Sequence, residues 1–303
     1  MPDTPDALAC MEIRGGNAPA NVGMAAPGLS MHVISRPFRE AAGGGDVHFV
    51  STCGTGRITR LLVADVSGHG THVDGVARVL HQLMFRYVNH IDARKFVEKM
   101  NDEFSRLTAD NIFATAIVGT YFAPRRELSL INAGHPPPLL YRAATARWSL
   151  LEDAGNVTET NYPLGVIEQT SYEKIDVRLE ADDALIFYTD ALPESRDAVG
   201  ELLGVERLIE LANALPLRTS MSAWLDEYLA TIATIAPGNL VGDDLTILLL
   251  RANGTSERAR LSRQLTAAVR LLASPRRLAQ AVPWPEWTLQ NVGGAIFPWI
   301  GRR

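Results

Sequence analysis

Apolar positions recur along this chain with two distinct periods. Between Thr71 and Asn89 they fall at Val73, Val76, Ala77, Leu80, Leu83, Met84, Tyr87 and Val88, gaps of three and four that line one face of a helix. A second stripe, Phe96, Val97, Met100, Phe104 and Leu107, predicts another helix with Asp92 as its N-cap. Elsewhere short apolar runs bounded by turn residues predict strands at His32–Ser35, Val47–Thr52, Ile58–Asp65, Ile112–Phe122, Glu127–Asn132, Pro138–Arg142, Trp148–Leu151, Tyr172–Leu179 and Ala184–Thr189. Cys53-Gly54-Thr55-Gly56 closes a hairpin between the second and third of these, and Pro124-Arg125-Arg126, Gly134-His135-Pro136-Pro137 and Ala181-Asp182-Asp183 mark further turns. Helices are expected again at Val205–Leu215 and Ser220–Ile235. The last strand, Leu245–Arg251, is nearly all apolar and so belongs in the centre of a sheet.

Strands joined by short turns, interrupted by two helix pairs, predict an α+β fold: two antiparallel sheets with helices on their outer sides. Residues 1–30, rich in Ala, Gly, Pro and Asn, read as an extended lead-in in which Met11-Glu12-Ile13 forms a short edge strand. Residues 31–252 then form the main domain and 253–303 a tail. There is no internal repeat.

Composition changes this picture mainly in the tail. The 303 residues are 47% hydrophobic and 21% charged, ordinary for a globular protein, with a net charge of −5. From Asn253 onward eight arginines face two glutamates, so the tail carries +6 and the remainder −11. An acidic body argues against nucleic-acid binding. In the tail, Leu261, Leu265, Ala268 and Leu272 recur at helical spacing among Arg258, Arg263, Arg270, Arg276 and Arg277, followed by Trp284, Trp287, Phe297 and Trp299. A basic amphipathic helix with aromatics can rest weakly on an anionic membrane or a partner, and the plainer reading is a solvated helix whose aromatics fold back. Cys10 and Cys53 form no C-x-x-C pair, the N-terminus has no signal-peptide pattern, and no run is long enough to span a membrane, so a cytoplasmic setting is expected.

The candidate chemistry lies in four aspartate-bearing turns: Gly44-Gly45-Asp46, Asp65-Val66-Ser67-Gly68-His69-Gly70, Tyr188-Thr189-Asp190 and Gly242-Asp243-Asp244. Asp65 and Asp190 end apolar strands, and Asp243 precedes one. Any single Asp near Gly is explained by turn chemistry. Four in this context can gather at one rim of a sandwich, where ionised carboxylates repel one another unless hard divalent cations neutralise them.

These turns, with Asn132-Ala133-Gly134-His135-Pro136-Pro137, Pro163-Leu164-Gly165 and Glu194, occur in an order that resembles the metal-dependent (type 2C, PPM) serine/threonine phosphatases, in particular their bacterial SpoIIE/RsbU-like branch. The resemblance spans about residues 31–251. It implies an αββα four-layer sandwich and a site for two divalent cations, Mn²⁺ or Mg²⁺. By that resemblance Asp65 bridges both ions, the Val66 carbonyl binds one, Asp190 and Asp243 complete the other, and Asp46 acts through coordinated water. Asp244 is a weaker ligand candidate than Asp243. His69 is placed to protonate the leaving oxygen, with helix capping or packing as its plainer role, and His135 reads as a rigid-loop residue.

The implied substrate is a phosphoprotein, typically a small anti-sigma-factor antagonist in a partner-switching pathway. The two helices spanning Thr71–Asn89 and Asp92–Leu107 offer a surface for a homodimer. The family commonly has Gly where Ala191 follows Asp190. A positive φ there would strain alanine, and this is the one support for a second reading, a pseudophosphatase that binds a partner without turnover. Arg36 and Arg39 are the candidates for phosphate capture. The glycine runs lack the Gly-Lys-Ser/Thr ending of a P-loop, which excludes that class.

Overall fold

The computed structural model describes residues 5–8, 12–53, 56–67, 71–87, 90, 92–107, 112–151, 161–217 and 220–254. One sheet has seven strands in the order β1 (Asp6–Ala7), β3 (Ala20–Ala26), β4 (Leu29–Arg36), β13 (Leu245–Ala252), β12 (Ala184–Tyr188), β9 (Leu139–Arg142), β10 (Arg147–Leu150). The other has six: β11 (Ile175–Arg178), β8 (Glu127–Ala133), β7 (Ala114–Phe122), β6 (Ile58–Val66), β5 (Asp46–Thr52), β2 (Ile13–Gly16). All pairings are antiparallel except β1 with β3, so the seven-stranded sheet is mixed at one edge.

Three apolar clusters show the layering. Leu61 and Val63 of β6 meet Leu248 and Leu250 of β13 between the sheets. Leu62 and Ala64 of β6 instead face α1 (Thr71–Arg86) and α2 (Ala93–Leu107), through Leu80, Leu83, Phe96 and Met100. Ile247 and Leu249 of β13 face α3 (Gly204–Ala214) and α4 (Met221–Ile235), through Leu208, Leu211, Leu225 and Tyr228. The order is therefore helices, sheet, sheet, helices: an αββα sandwich. Because both faces of β6 and β13 are covered, their sequences read as continuous apolar runs rather than alternating ones. β13 sits mid-sheet as its composition requires.

The predicted Asp92 cap is present, and α4 has a cap of its own. Asp92 Oδ1 accepts from the Arg94 and Lys95 N–H groups, and the Ser220 side chain accepts from the Ala223 N–H at the start of α4. The sequence boundary at residue 31 falls next to a hairpin turn inside the sandwich. Ala20–Ala26 pairs with β4, and Ile13–Gly16 is an edge strand on β5, so much of the lead-in is sheet. Its Gly, Ala and Asn content hides strands that bury few side chains, Met24 and Ala26 among them, and rely chiefly on pairing. The expected strand over Tyr172–Leu179 shortens to Ile175–Arg178. No helix among the described residues is long and apolar enough to cross a membrane. The tail from residue 255 onward and its predicted amphipathic helix lie outside the described residues.

Candidate metal and phosphate site

Strand register brings the acidic turns together. Asp46 begins β5 and lies directly opposite Asp65, the penultimate residue of β6. Asp190 follows β12 and Asp243 precedes β13, and these two strands are antiparallel neighbours in the other sheet, so their turns open at the same end. Hence each sheet delivers carboxylates to one rim of the sandwich.

Gly45 sits at the centre of this rim. A Cβ on Gly45 would lie 3.3 Å from the Val66 carbonyl oxygen, 3.3 Å from Asp244 Oδ2 and 3.5 Å from Asp65 Oδ1. Three oxygens thus converge on the point that the missing side chain leaves free. At Gly44 a Cβ would collide with the Asp244 carboxylate, so the glycine pair is needed for close approach rather than for an unusual φ.

The electrostatics match this crowding. Burial pushes the Asp65 carboxyl up to about 6, and repulsion from Asp190, Asp243, Asp244 and Glu194 adds to it. Asp190 is also raised, by burial and then by Glu194 and Asp243. Asp46, 3% exposed, is held well above the usual carboxylate range by burial, partly offset by a hydrogen bond from Thr189. Among the described residues no three His, Cys, Asp or Glu side chains stand close enough to enclose an ion by themselves. The donors are a carbonyl and spread carboxylates, an all-oxygen set suited to hard divalent cations and unsuited to zinc or copper.

A buried polar chain crosses between the sheets behind the carboxylates. The Thr189 hydroxyl donates to Asp46 Oδ2 at 2.7 Å and accepts from the Thr246 N–H at 3.0 Å, and the Thr246 hydroxyl meets the Ser35 hydroxyl at 3.0 Å. Thr189 and Thr246 are fully buried. Sequence reasoning gave them no role, although both stand inside the aspartate motifs. Glu194, which the sequence marks only by its place after the Thr189-Asp190 turn, is an exposed contributor to the negative potential on Asp65 and Asp190.

The other motifs are structural. Asn132 closes a turn by accepting from the His135 N–H at 2.7 Å and donating to its carbonyl at 2.8 Å, where the chain crosses from β8 to β9 between the sheets. His135 is buried, its Nδ1 is 3.0 Å from the Thr115 hydroxyl, and burial lowers its pKa to about 3. Thr115 is the cross-strand neighbour of Asp65, so His135 buttresses the site from behind. Leu164 exchanges two backbone bonds with Ala114, and the Gly165 N–H donates to the buried Asn101 of α2.

Ala191 has a negative φ, so the strain expected at this position is absent. The turn is closed instead by the Glu194 N–H donating to the Asp190 carbonyl at 2.9 Å. Arg39 does lie in the left-handed region (φ 53°), with its guanidinium 4.8 Å above the Phe38 ring, and Arg36 ends β4 in an exposed position. His69 lies outside the described residues.

The family model for stage II sporulation protein E (SpoIIE) matches residues 55–253. Among characterised relatives, phosphoserine phosphatase RsbU of Bacillus subtilis is 24% identical over 190 residues, covering 60% of this chain and 52% of that protein. Phosphoserine phosphatase RsbP of the same organism is 26% identical over 145 residues, covering 44% and 32%. The chain thus spans about half or less of the length of these relatives. Of solved folds, the RsbU and RsbW domains of Rv1364c from Mycobacterium tuberculosis align with a TM-score of 0.61 at 23% identity, over 84% of this chain and 70% of that one. The PP2C phosphatase domain of SpoIIE from Bacillus subtilis aligns with a TM-score of 0.61 at 17% identity, over 75% and 64%.

Proposed function

Because this chain belongs to the SpoIIE family, whose model matches about two thirds of it, we propose that it is a metal-dependent serine/threonine protein phosphatase. Its setting is a cytoplasmic bacterial partner-switching pathway, with a small phosphorylated anti-sigma-factor antagonist as the substrate class. What supports the reading is the crowding of acidic groups around Asp65 at one rim of the sandwich, next to the Val66 carbonyl that follows it in β6. Burial and four neighbouring carboxylates are the largest influences on Asp65, and all of them raise its pKa.

Asp65 and the Val66 carbonyl would hold one divalent cation, Mn²⁺ or Mg²⁺, and Asp65, Asp190 and Asp243 a second. Asp46 would contribute from deeper in the rim, through solvent. Bound there, such cations neutralise phosphoryl oxygens and acidify water at neutral pH. The chain's own part is to fix donors. β6 presents the Asp65 carboxylate and the Val66 carbonyl from adjacent residues, the Thr189 hydroxyl orients Asp46, and the Gly44-Gly45 bend leaves room beside them. His69 is the candidate to protonate the leaving serine or threonine oxygen. With φ negative at Ala191, the pseudophosphatase reading loses its support. A dimer through α1 and α2 remains part of the proposal.

The test is hydrolysis of p-nitrophenyl phosphate and of a phosphoserine protein with Mn²⁺, with Mg²⁺ and with chelator. Turnover that requires metal and vanishes in Asp65→Ala and Asp243→Ala supports the assignment. Metal-independent turnover, or none under any condition, refutes it.

A further inference from the structure

Asp244 makes contacts unlike those of the other rim carboxylates. Its Oδ1 accepts from the Phe38 N–H at 2.6 Å and its Oδ2 from the Gly45 N–H at 2.5 Å. One carboxylate therefore closes both ends of the Phe38–Gly45 loop. Charge-assisted bonds of this kind are about twice as strong as neutral ones. The loop needs such a fastening, because it carries two consecutive non-glycine residues in the left-handed region, Arg39 (φ 53°) and Glu40 (φ 56°). A second clasp acts from the other side: the Gly44 N–H donates to the Asn17 carbonyl at 3.0 Å, and Asn17 Nδ2 donates to the Gly44 carbonyl at 3.2 Å. Among the described residues Asp243 makes no comparable contact; its Oδ1 accepts from the N–H of Asp244.

The clasp reaches the candidate ligands through the backbone. The Gly45 N–H is held by Asp244, and the Gly45 carbonyl accepts from the Val66 N–H at 3.2 Å. The carbonyl of that same Val66 is a proposed ligand, and Asp46 follows Gly45 directly. We propose that Asp244 is a positioning residue, which clamps the Phe38–Gly45 loop onto the rim and thereby sets the Val66 carbonyl and Asp46, and that it is not itself a metal ligand. The proposal rests on the phosphatase reading for its catalytic consequence, while the clamp itself stands on geometry.

The experiment compares wild type, Asp244→Ala, Asp244→Asn and Asp243→Ala in the full chain, by amide hydrogen exchange without metal, Mn²⁺ titration calorimetry, and kinetics on a phosphoserine protein. In Asp244→Ala the Phe38 and Gly45 amides should exchange faster by about 10- to 100-fold, the weight of a hydrogen bond to a charged acceptor. Asp244→Asn keeps one acceptor and should fall between Asp244→Ala and wild type. Mn²⁺ binding should weaken far less in Asp244→Ala than in Asp243→Ala, and kcat should fall more than KM rises, because the clamp sets the Val66 carbonyl and Asp46. Unchanged amide exchange in Asp244→Ala would overturn the clamp. Loss of Mn²⁺ binding equal to that of Asp243→Ala would make Asp244 a ligand and overturn the proposal. If wild type neither binds Mn²⁺ nor turns over, the phosphatase reading fails, and the exchange data still decide the clamp.

Discussion

Replacing Thr189 with valine keeps the shape of the side chain and deletes one hydroxyl between the two sheets. That hydroxyl donates to Asp46 Oδ2 at 2.7 Å and accepts from the Thr246 N–H at 3.0 Å, and it is fully buried. Valine therefore takes one hydrogen bond from the buried Asp46 carboxylate and leaves the buried Thr246 N–H without its acceptor. Each abandoned partner costs about 1–3 kcal/mol, so the expected loss is about 4 kcal/mol. For a domain of this size that corresponds to a fall in Tm of roughly 8–16 °C. The assay is urea unfolding at pH 7 in chelator, followed by circular dichroism, beside Thr189→Ser. Serine restores the hydroxyl and should recover all but about 1 kcal/mol, the cost of the lost methyl group. A valine variant within 1 kcal/mol of wild type, or a serine variant no better than valine, would refute the idea that this chain of hydroxyls ties the sheets together.

Three further outcomes are expected. Gly44→Ala places a methyl group against the Asp244 carboxylate, so it should lower Mn²⁺-dependent turnover and speed exchange of the Gly45 amide; wild-type behaviour in both would show that the rim tolerates a side chain. Ala191→Gly should leave turnover unchanged and cost about 0.5–1 kcal/mol in chemical denaturation, because φ is already negative there and only chain entropy is lost; a gain in turnover would restore the case for strain. His135 is buried neutral, with its pKa lowered from 6.5 to about 3. Between those values the unfolded chain binds a proton that the folded chain does not. Its contribution is therefore intact above about pH 6.5 and lost as pH falls, by up to about 1.4 kcal/mol per pH unit. His135→Asn should flatten the acid limb of a stability-versus-pH curve by that slope, and parallel curves would exclude the burial account.

The fold was legible where periodicity is enforced by burial. The stripes on α1 and α2, the Asp92 cap, and the all-apolar runs of β6 and β13 each follow from one local requirement, so each could be read without its neighbours. Of the segment Ile13–Ala26, only the edge strand expected at Met11–Ile13, found at Ile13–Gly16, was legible; the strand Ala20–Ala26 was not. The segment's glycines and alanines carry little pattern, and its pairing with β5 and β4 is made by backbone groups that any residue supplies. The aspartates were legible as candidates because turn residues and strand ends are marked in the chain.

Their separate roles were not. Asp243 and Asp244 are adjacent and chemically identical, yet one is exposed at the rim and the other is engaged by two backbone N–H groups from more than 190 residues away. Ala191 looked strained by comparison with a family pattern, and only the backbone angle settled it.

The amino-acid sequence by itself determined the elements, their covered faces and the residue types available for chemistry, because these depend on contacts a few residues apart or on burial as such. Tertiary structure alone decided which oxygens converge beside Gly45, that Thr189 bridges the sheets to Asp46, and that Asp244 fastens a loop. Those outcomes depend on the register between strands and the stacking of two sheets. Both are fixed by the packing of the whole core, and neither leaves a signature in local spacing.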